Sequence, residues 1–396
     1  MRLTLTDEQS LIESSVRDFL AAEYDFSCRQ RSVKAPHACE PAVWRQFAAM
    51  GWLGLLVPEA AGGLGAGLLE AGLAMRAFGR HLVVEPYAAS ALLATPLLAA
   101  HGRPEQQSAW LPTLIDGSQR AVLAHEELAA PLPWLPRTTV ARRDDGGWVL
   151  QGRKQLVPGA CGADLLLVSA RVAGHGPAHR IFVLRPNTAG LQVDAAATAD
   201  GAQVADVTLQ DVRLSDADLL GQDTDAATPL ATACARHLIA LCWEAVGAME
   251  ALQEQTAAYS RQRMQFGQPL SQFQVVAHRL AEMAVCCVDA LAACELAALR
   301  LDSGAADSAV LASMAKSKVG REARFVAQHG VQLHGAMGVT EELQVASWFR
   351  KLTMFSQQGG STAAHGREFG LAMLSTAGWS QSRTLGPAAE PAPEQR

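Results

Sequence analysis

The chain has 396 residues, with 33 Lys and Arg against 39 Asp and Glu, and its formal net charge at pH 7 is −6. Hydrophobic residues make up 49% and charged residues 18%, so the chain has enough apolar material for a buried core and is not a disordered polypeptide. The mild acidity argues against a basic nucleic-acid-binding surface. There is no uninterrupted apolar run of about 18 residues, which argues against a membrane span.

A helix starts close to the N-terminus. Thr6 and Gln9 are spaced as a capping box, in which each side chain bonds the backbone N–H of the other residue. The apolar residues that follow at helical spacing predict one buried face: Leu11, Ile12, Val16, Phe19 and Leu20. Because this helix leaves no room for a targeting segment, we expect a protein of the reducing cytoplasm.

Hydrophobic periodicity divides the chain into three zones. The pattern is helical at first, then alternates with period two between turn signals, and then becomes helical again. We therefore predict an α+β fold of three domains: an N-terminal helical domain (1–120), a middle antiparallel β-barrel or sandwich (121–225) and a C-terminal helical bundle (226–378). Residues 379–396 are rich in Pro, Ala and Glu, which predicts a disordered tail.

The C-terminal zone contains three long predicted helices, at 231–262, 272–301 and 307–330. Several of them are apolar on more than one face, which is typical of helices buried in a bundle or between subunits, so we expect an oligomer. The eight cysteines of the chain form no Cys-x-x-Cys pair. We therefore expect buried free thiols and no metal site.

Two segments of the C-terminal zone carry a family pattern. Residues 259–274 read YSRQRMQFGQPLSQFQ, and residues 332–341 read QLHGAMGVTE. The first resembles the R-x-x-F-G run and F-Q pair of the acyl-CoA dehydrogenases, and the second resembles their Q-x-H-G-G loop. Shorter matches occur in the family's order at TDEQ (6–9), GWLGLLVPE (51–59) and WVLQGRK (148–154). The resemblance covers about residues 3–376, nearly the whole chain.

The resemblance implies an FAD-dependent enzyme with the three-domain fold. In that family a carboxylate removes a proton from Cα of an acyl-CoA thioester, a hydride passes from Cβ to flavin N5, and electron-transfer flavoprotein accepts the electrons. The resemblance also implies a dimer of dimers, in which six residues would contact the FAD of a neighbouring subunit: Arg263, Phe266, Gln274, Gln332, Gly335 and Ala336. The guanidinium of Arg263 suits a pyrophosphate, although an exposed arginine near a helix end can equally form a surface ion pair.

The flavin-ring end departs from the family pattern. Where the family has a Thr that reaches N5, this chain has Pro158, which has no backbone N–H to donate. Gly359 occupies the position of the usual catalytic Glu, and His237 occupies the position that some branches use instead. Neither usual carboxylate is therefore present. Glu126 and Glu127 follow the first predicted strand, and we expect them to be solvated or paired.

Glu244 is the remaining candidate for the catalytic base. It lies seven residues after His237, two helical turns along the same face, among apolar neighbours that would raise the pKa of its carboxyl. The alternative is a carboxylate paired with a cation in the bundle core. The surrounding run, ALCWEAVGAMEAL at 240–252, resembles the small subunit of pimeloyl-CoA dehydrogenase and its steroid side-chain relatives.

Three functions agree with these residues. The first is FAD-dependent α,β-dehydrogenation of an acyl-CoA with a relocated base. The second is a catalytically degenerate partner subunit that completes a neighbour's FAD site. The third is different flavin chemistry on the same fold, because a fold does not determine function. The resemblance implies acyl-CoA dehydrogenation and points to a dicarboxylyl, steroid side-chain or other unusual acyl group.

Overall fold

Helices form both ends of the chain and strands form its middle. A computed structural model describes residues 4–128, 131–144, 146–174, 178–305, 307–340 and 343–375. The N-terminal helices are α1 (Asp7–Glu23), α2 (Phe26–Lys34), α3 (Pro41–Ala49), α4 (Leu68–His81), α5 (Tyr87–Ala89), α6 (Thr95–His101) and α7 (Pro104–Ile115). The later helices are α8 (Ala227–Gln262), α9 (Gln274–Asp302), α10 (Ser308–His334), α11 (Val345–Phe355) and α12 (Thr362–Leu374).

The strands lie between α7 and α8, apart from one small hairpin. They are β1 (Ala121–Ala124), β2 (Val140–Asp144), β3 (Gly147–Pro158), β4 (Leu165–Val172), β5 (His179–Leu184), β6 (Leu191–Ala197) and β7 (Gln203–Leu214), followed after α8 by β8 (Met264–Gln265) and β9 (Gln268–Pro269). The three predicted zones are thus present as helices, a sheet and helices. The predicted tail at 379–396 lies outside the described residues.

Helix α1 begins as its sequence predicts. The Gln9 N–H donates to Thr6 Oγ1 at 3.2 Å, and the Thr6 N–H donates to Gln9 Oε1 at 3.0 Å, which completes the capping box. Val16 and Leu20 are fully buried, but Leu11 is 69% exposed. The predicted apolar face is therefore only partly correct, because α1 packs on α4 through the side that carries Val16 and Leu20.

The middle sheet is mixed rather than antiparallel. Its strands follow the order β1-β4-β2-β3-β7-β6, and β5 also pairs with β4. Strand β4 runs parallel to β1 and to β2, which corrects the expectation of purely antiparallel pairing. The antiparallel β2–β3 hairpin lies between β1 and β4 in the chain. This connection allows β4 to pair with β1 in the parallel direction. The sheet buries its own apolar cluster against the helices before and after it.

Glycines bring α4 and α8 into close contact. A Cβ on Gly79 would overlap the carbonyl oxygen of Glu244, and a Cβ on Gly247 would overlap the carbonyl oxygen of Arg76. Only glycine permits backbones to approach this closely. The contact joins the N-terminal and C-terminal helices into one hydrophobic core and fixes the position of Glu244 within it.

The cysteines of the chain form no disulfide bonds. All eight cysteines are free thiols, and six of them are buried. Within the part of the chain that the structure describes, no helix combines the length and the apolar character needed to cross a bilayer.

Candidate active site

One cavity lies where the three parts of the chain meet. Its volume is about 150 Å³. Helix α4 and the loop after it supply Phe78 and Glu85, the loop after β1 supplies Glu126, and the end of β3 supplies Pro158. Helix α8 supplies His237 and Glu244, and helix α11 and the loop after it supply Lys351 and Gly359.

The two positions without the family's carboxylate both line this cavity. His237 and Gly359 come from elements more than a hundred residues apart, and Pro158 lies on the same wall. Burial lowers the pKa of His237 to about 4, so its imidazole is neutral at pH 7. The structure therefore brings the three departures from the family pattern to one place.

Glu244 forms an ion pair inside the cavity wall. Its Oε1 lies 2.7 Å from Lys351 Nζ, and Asp200 Oδ2 lies 3.9 Å from the same nitrogen. Burial raises the pKa of Glu244, although Lys351 opposes that shift. Burial disfavours the charge on Lys351, but Glu244 and Asp200 outweigh it and raise the pKa of the ammonium. This geometry is the paired arrangement that the sequence left open for Glu244, and a role as base stays a prediction.

The adjacent acids after β1 have different surroundings. Glu127 Oε1 lies 2.9 Å from Lys154 Nζ, and both side chains are buried. Glu127 is therefore paired, as expected. Glu126 instead lines the cavity beside Gly359, and burial raises the pKa of its carboxyl to about 7. Sequence reasoning underestimated Glu126, because only the tertiary structure separates the two neighbouring acids.

Glu85 is a second carboxyl of the cavity that sequence reasoning missed. The Tyr24 hydroxyl donates to its Oε2 at 2.7 Å, while its Oε1 is buried without a partner. Burial raises the pKa of this carboxyl. No local motif marks Glu85, which lies in the loop between α4 and α5.

The six predicted cofactor contacts lie away from the cavity, and all are exposed. Arg263 caps α8, and Phe266 and Gly267 form the two-residue turn of the β8–β9 hairpin, both with positive φ as a type I′ turn requires. This turn leaves the Phe266 side chain 92% exposed. Gln274 begins α9, and the other three residues lie at the end of α10: Gln332, Gly335 and Ala336.

An aromatic stack joins the two ends that carry these contacts. The rings of Tyr259 and His334 are stacked with centroids 4.4 Å apart. Tyr259 lies one turn before Arg263, so the α8 end and the α10 end are neighbours. His334 is buried, and its Nδ1 lies 2.8 Å from the Gly330 carbonyl oxygen, whereas its Nε2 is buried without a hydrogen-bond partner among the described residues.

Two family models match this chain. The model described as "Acyl-CoA dehydrogenase, N-terminal domain" matches residues 6–118, and the one described as "Acyl-CoA dehydrogenase, C-terminal domain" matches residues 232–373. The chain belongs to the acyl-CoA dehydrogenase family. Acyl-CoA dehydrogenases are FAD-binding oxidoreductases.

Relatives of this chain include enzymes named for opposite directions of the reaction. It is 24% identical to the acryloyl-CoA reductase (NADH) of Anaerotignum propionicum, over 92% of this chain and 94% of the relative. It is 27% identical to the mitochondrial long-chain specific acyl-CoA dehydrogenase of Mus musculus, over 87% of this chain and 82% of the relative.

Solved structures are similar over nearly the whole chain. A variant of the Tcur3481–Tcur3483 steroid ACAD is 28% identical, with a TM-score of 0.85, and covers 94% of this chain and 99% of its own. The ChsE4–ChsE5 complex from Mycobacterium tuberculosis is 24% identical, with a TM-score of 0.85, and covers 95% of this chain and 100% of its own. At 24% identity, the similarity to the ChsE4–ChsE5 complex establishes the shared fold only.

The residues present fit one end of FAD better than the other. At the phosphate and adenine end, the Arg263 guanidinium is exposed, and nothing lies within 4 Å of the point that a Cβ on Gly335 would occupy. A ligand can therefore approach that backbone closely. At the ring end, Pro158 has no N–H, and the Gly159 N–H already donates to the Gln203 carbonyl at 3.2 Å. The end of β3 thus offers few free donors to a flavin ring.

Proposed function

We propose that this chain is an FAD-dependent acyl-CoA dehydrogenase that acts on an acyl-CoA thioester in the cavity between its three parts. The observation that carries the proposal is the convergence of Pro158, His237 and Gly359 on that cavity, with Glu126 and Glu244 in the same wall. Pro158, His237 and Gly359 belong to elements distant in sequence, and the family resemblance implies that all three belong to the reacting centre.

The cavity's own carboxyls would supply the proton acceptor. Glu244 is the candidate from the sequence, and Glu126 is the carboxyl that lies beside Gly359. A raised pKa makes a carboxylate a stronger base, which supports both candidates. Glu244 is seven residues from His237, about 10 Å along the α8 axis, and its pairing with Lys351 weakens it as a base. Glu126→Gln and Glu244→Gln variants would distinguish which of the two carboxylates accepts the proton.

FAD would be held across a subunit interface in this proposal. Arg263, Phe266 and Gln274 at one helix end, with Gln332, Gly335 and Ala336 at the other, would contact the FAD of a neighbouring protomer. Bound FAD would supply the acceptor for the hydride that leaves Cβ. Electron-transfer flavoprotein as the electron acceptor and a dimer of dimers as the assembly belong to the same proposal. Free thiols support a cytoplasmic site of action.

A second candidate function is a catalytically degenerate subunit of a heteromeric acyl-CoA dehydrogenase. It is favoured by the poor donor set around Pro158, by Gly359 in place of a carboxylate, and by the ion pair that occupies Glu244. The exposed Phe266 and Arg263 would then serve a partner's FAD. The solved ChsE4–ChsE5 structure is that of a complex, which is a precedent for such an assembly in a similar fold.

The test is the FAD-to-chain ratio of the protein purified alone, followed by anaerobic titration with acyl-CoA thioesters. A ratio near one, with bleaching of the flavin spectrum by a thioester, supports the first function. A ratio near zero in a folded oligomer supports the second, and co-expression with a paralogous subunit should then restore FAD. FAD bound stoichiometrically but reduced by no acyl-CoA would contradict acyl-CoA dehydrogenation.

A further inference from the structure

Gly359 is held in the cavity wall by a side chain that lies outside the cavity. It belongs to the loop between α11 and α12, and it lines the cavity beside Glu126. His365 lies in the first turn of α12, and its imidazole is fully buried. The Nε2 atom of His365 lies 2.7 Å from the Gly359 carbonyl oxygen. The backbone of a cavity residue is thus anchored to the start of the next helix.

The direction of each hydrogen bond around His365 follows from its partners. Burial lowers the pKa of His365 to about 4, so its imidazole is neutral at pH 7 and carries a single N–H. A carbonyl oxygen only accepts, so that N–H is on Nε2. Nδ1 is then an acceptor, and the buried Ser313 hydroxyl of α10, with its Oγ 3.0 Å away, donates to it. Ser313, His365 and the Gly359 carbonyl therefore form one continuous chain of hydrogen bonds.

Two glycines let the loop approach the imidazole. Gly359 and Gly360 have φ of +63° and +99°, a region that other residues adopt only with strain. A Cβ on Gly360 would lie 2.9 Å from His365 Nε2, closer than side-chain atoms normally approach. A Cβ on Gly359 would lie 2.8 Å from Leu238 Cδ1. The hydrogen bond to His365 therefore secures a loop conformation that glycine adopts without strain.

The Gly359 backbone also contacts a candidate base on its cavity side. Burial raises the pKa of the Glu126 carboxyl to about 7, and the charge on Lys316 and a hydrogen bond from the Gly359 backbone oppose that shift. A carboxylate only accepts hydrogen bonds, so the donor is the Gly359 N–H. Gly359 therefore bonds Glu126 through its N–H and His365 through its carbonyl. A displacement of about 1 Å at a reacting group can slow a reaction by about 100-fold.

We propose that His365 is a positioning residue for proton abstraction, which fixes the Gly359 carbonyl so that the Gly359 N–H holds the Glu126 carboxylate in place. Ser313 supports this role, because its hydroxyl keeps the proton of His365 on Nε2. Neither Ser313 nor His365 lines the cavity, so both act through the Gly359 backbone. The inference rests on the proposed function, since it takes Glu126 as the proton acceptor.

The test compares His365→Gln with His365→Asn in the FAD-containing protein. The amide nitrogen of Gln lies as far along its side chain as Nε2 does in His, so Gln can still donate to the Gly359 carbonyl. The Asn amide ends at the position of Nδ1 and is too short to reach that carbonyl. Flavin reduction is followed by anaerobic stopped-flow absorbance, with the straight-chain thioester between butyryl-CoA and palmitoyl-CoA that reduces the unmodified protein fastest.

We expect His365→Asn to lower the maximal rate of flavin reduction by about tenfold or more, while the half-saturating thioester concentration and the FAD content change by less than about twofold. His365→Gln should stay within about threefold of the unmodified rate, because it keeps the donor. With a thioester deuterated at Cα, the isotope effect on flavin reduction should be at least as large in His365→Asn as in the unmodified protein, because the impaired step is proton abstraction.

Equal rates in His365→Asn and the unmodified protein, or an equal loss in the Asn and Gln variants, would overturn the inference while leaving the proposed function intact. An isotope effect that disappears in His365→Asn would do the same, because a step other than proton abstraction would then be slow. If His365→Asn does not fold, Ser313→Ala decides, since it should slow flavin reduction and an unchanged rate would overturn the inference. Failure of every thioester to reduce the flavin would overturn the proposed function together with the inference.

Discussion

Removal of the Lys351 ammonium tests how the buried ion pair contributes to stability. Lys351→Met leaves the Glu244 carboxylate buried without its cation, in a position where the pair is 2.7 Å apart and both side chains are about nine-tenths buried. Breaking a buried pair from one side costs about 3–5 kcal/mol of unfolding free energy, because the remaining charge is uncompensated. We expect a loss of that size at pH 7.5, measured by urea unfolding at fixed protein concentration.

The loss should depend on pH in a defined direction. Burial already raises the pKa of Glu244, and without Lys351 nothing opposes that shift. A carboxyl whose pKa is raised by folding destabilises the folded state above its unfolded pKa, and this cost falls as the pH drops through the folded pKa. The gap in unfolding free energy between Lys351→Met and the unmodified protein should therefore be smaller at pH 5.5 than at pH 7.5.

Two controls make the reasoning refutable. Adding Glu244→Gln to Lys351→Met should recover part of the loss, because it removes the unpaired charge. Arg17→Met breaks an exposed pair with Asp18 on α1 and should cost about 1 kcal/mol or less. A loss below about 1 kcal/mol for Lys351→Met, or a loss that grows at pH 5.5, would show that Glu244 is not held as a buried carboxylate by Lys351.

Three further predictions concern cofactor, base and packing. Arg263→Ala should lower FAD occupancy by weakening a charge-assisted contact of about 1.5–3 kcal/mol, and unchanged flavin content would remove Arg263 from the site. If Glu126 accepts the proton, flavin reduction should accelerate as the pH rises through about 7, where its carboxyl ionises. The Glu126→Gln variant should then bind FAD but show no flavin reduction. Loss of flavin reduction in Glu244→Gln, with reduction retained in Glu126→Gln, would instead assign the role of base to Glu244. Gly79→Ala should destabilise the protein by about 1–3 kcal/mol in thermal or urea unfolding, because its Cβ overlaps the Glu244 carbonyl; a neutral effect would show that α4 and α8 are not in close contact.

The candidate site was partly visible in the sequence. Family motifs located Pro158, His237 and Gly359, and helical spacing identified Glu244 as an acid in apolar surroundings. No sequence signal paired Glu244 with Lys351, which comes from another helix more than a hundred residues later. Only the tertiary structure shows that the three residues that depart from the family pattern and the Glu244–Lys351 ion pair line the same cavity.

Glu126 and Glu127 also show that the sequence does not predict the pKa of a buried carboxyl. Glu126 and Glu127 are identical in chemistry and adjacent in sequence, yet Lys154 holds the pKa of Glu127 well below its usual range, whereas burial raises that of Glu126. A pKa depends on the charges and solvent within a few ångströms, and those are set by strands and helices that meet only on folding.

The sequence by itself determined the features that depend on neighbours along the chain. These include the Thr6 capping box, the long helices α8, α9 and α10, and the change from helical to alternating periodicity. Only the tertiary structure decided the parallel pairing of β4, the exposed position of Leu11 and the pairing of Glu244. Periodicity reports which residues share a face of one element, whereas strand partners, burial and charge pairs are decided by the elements that pack against that face.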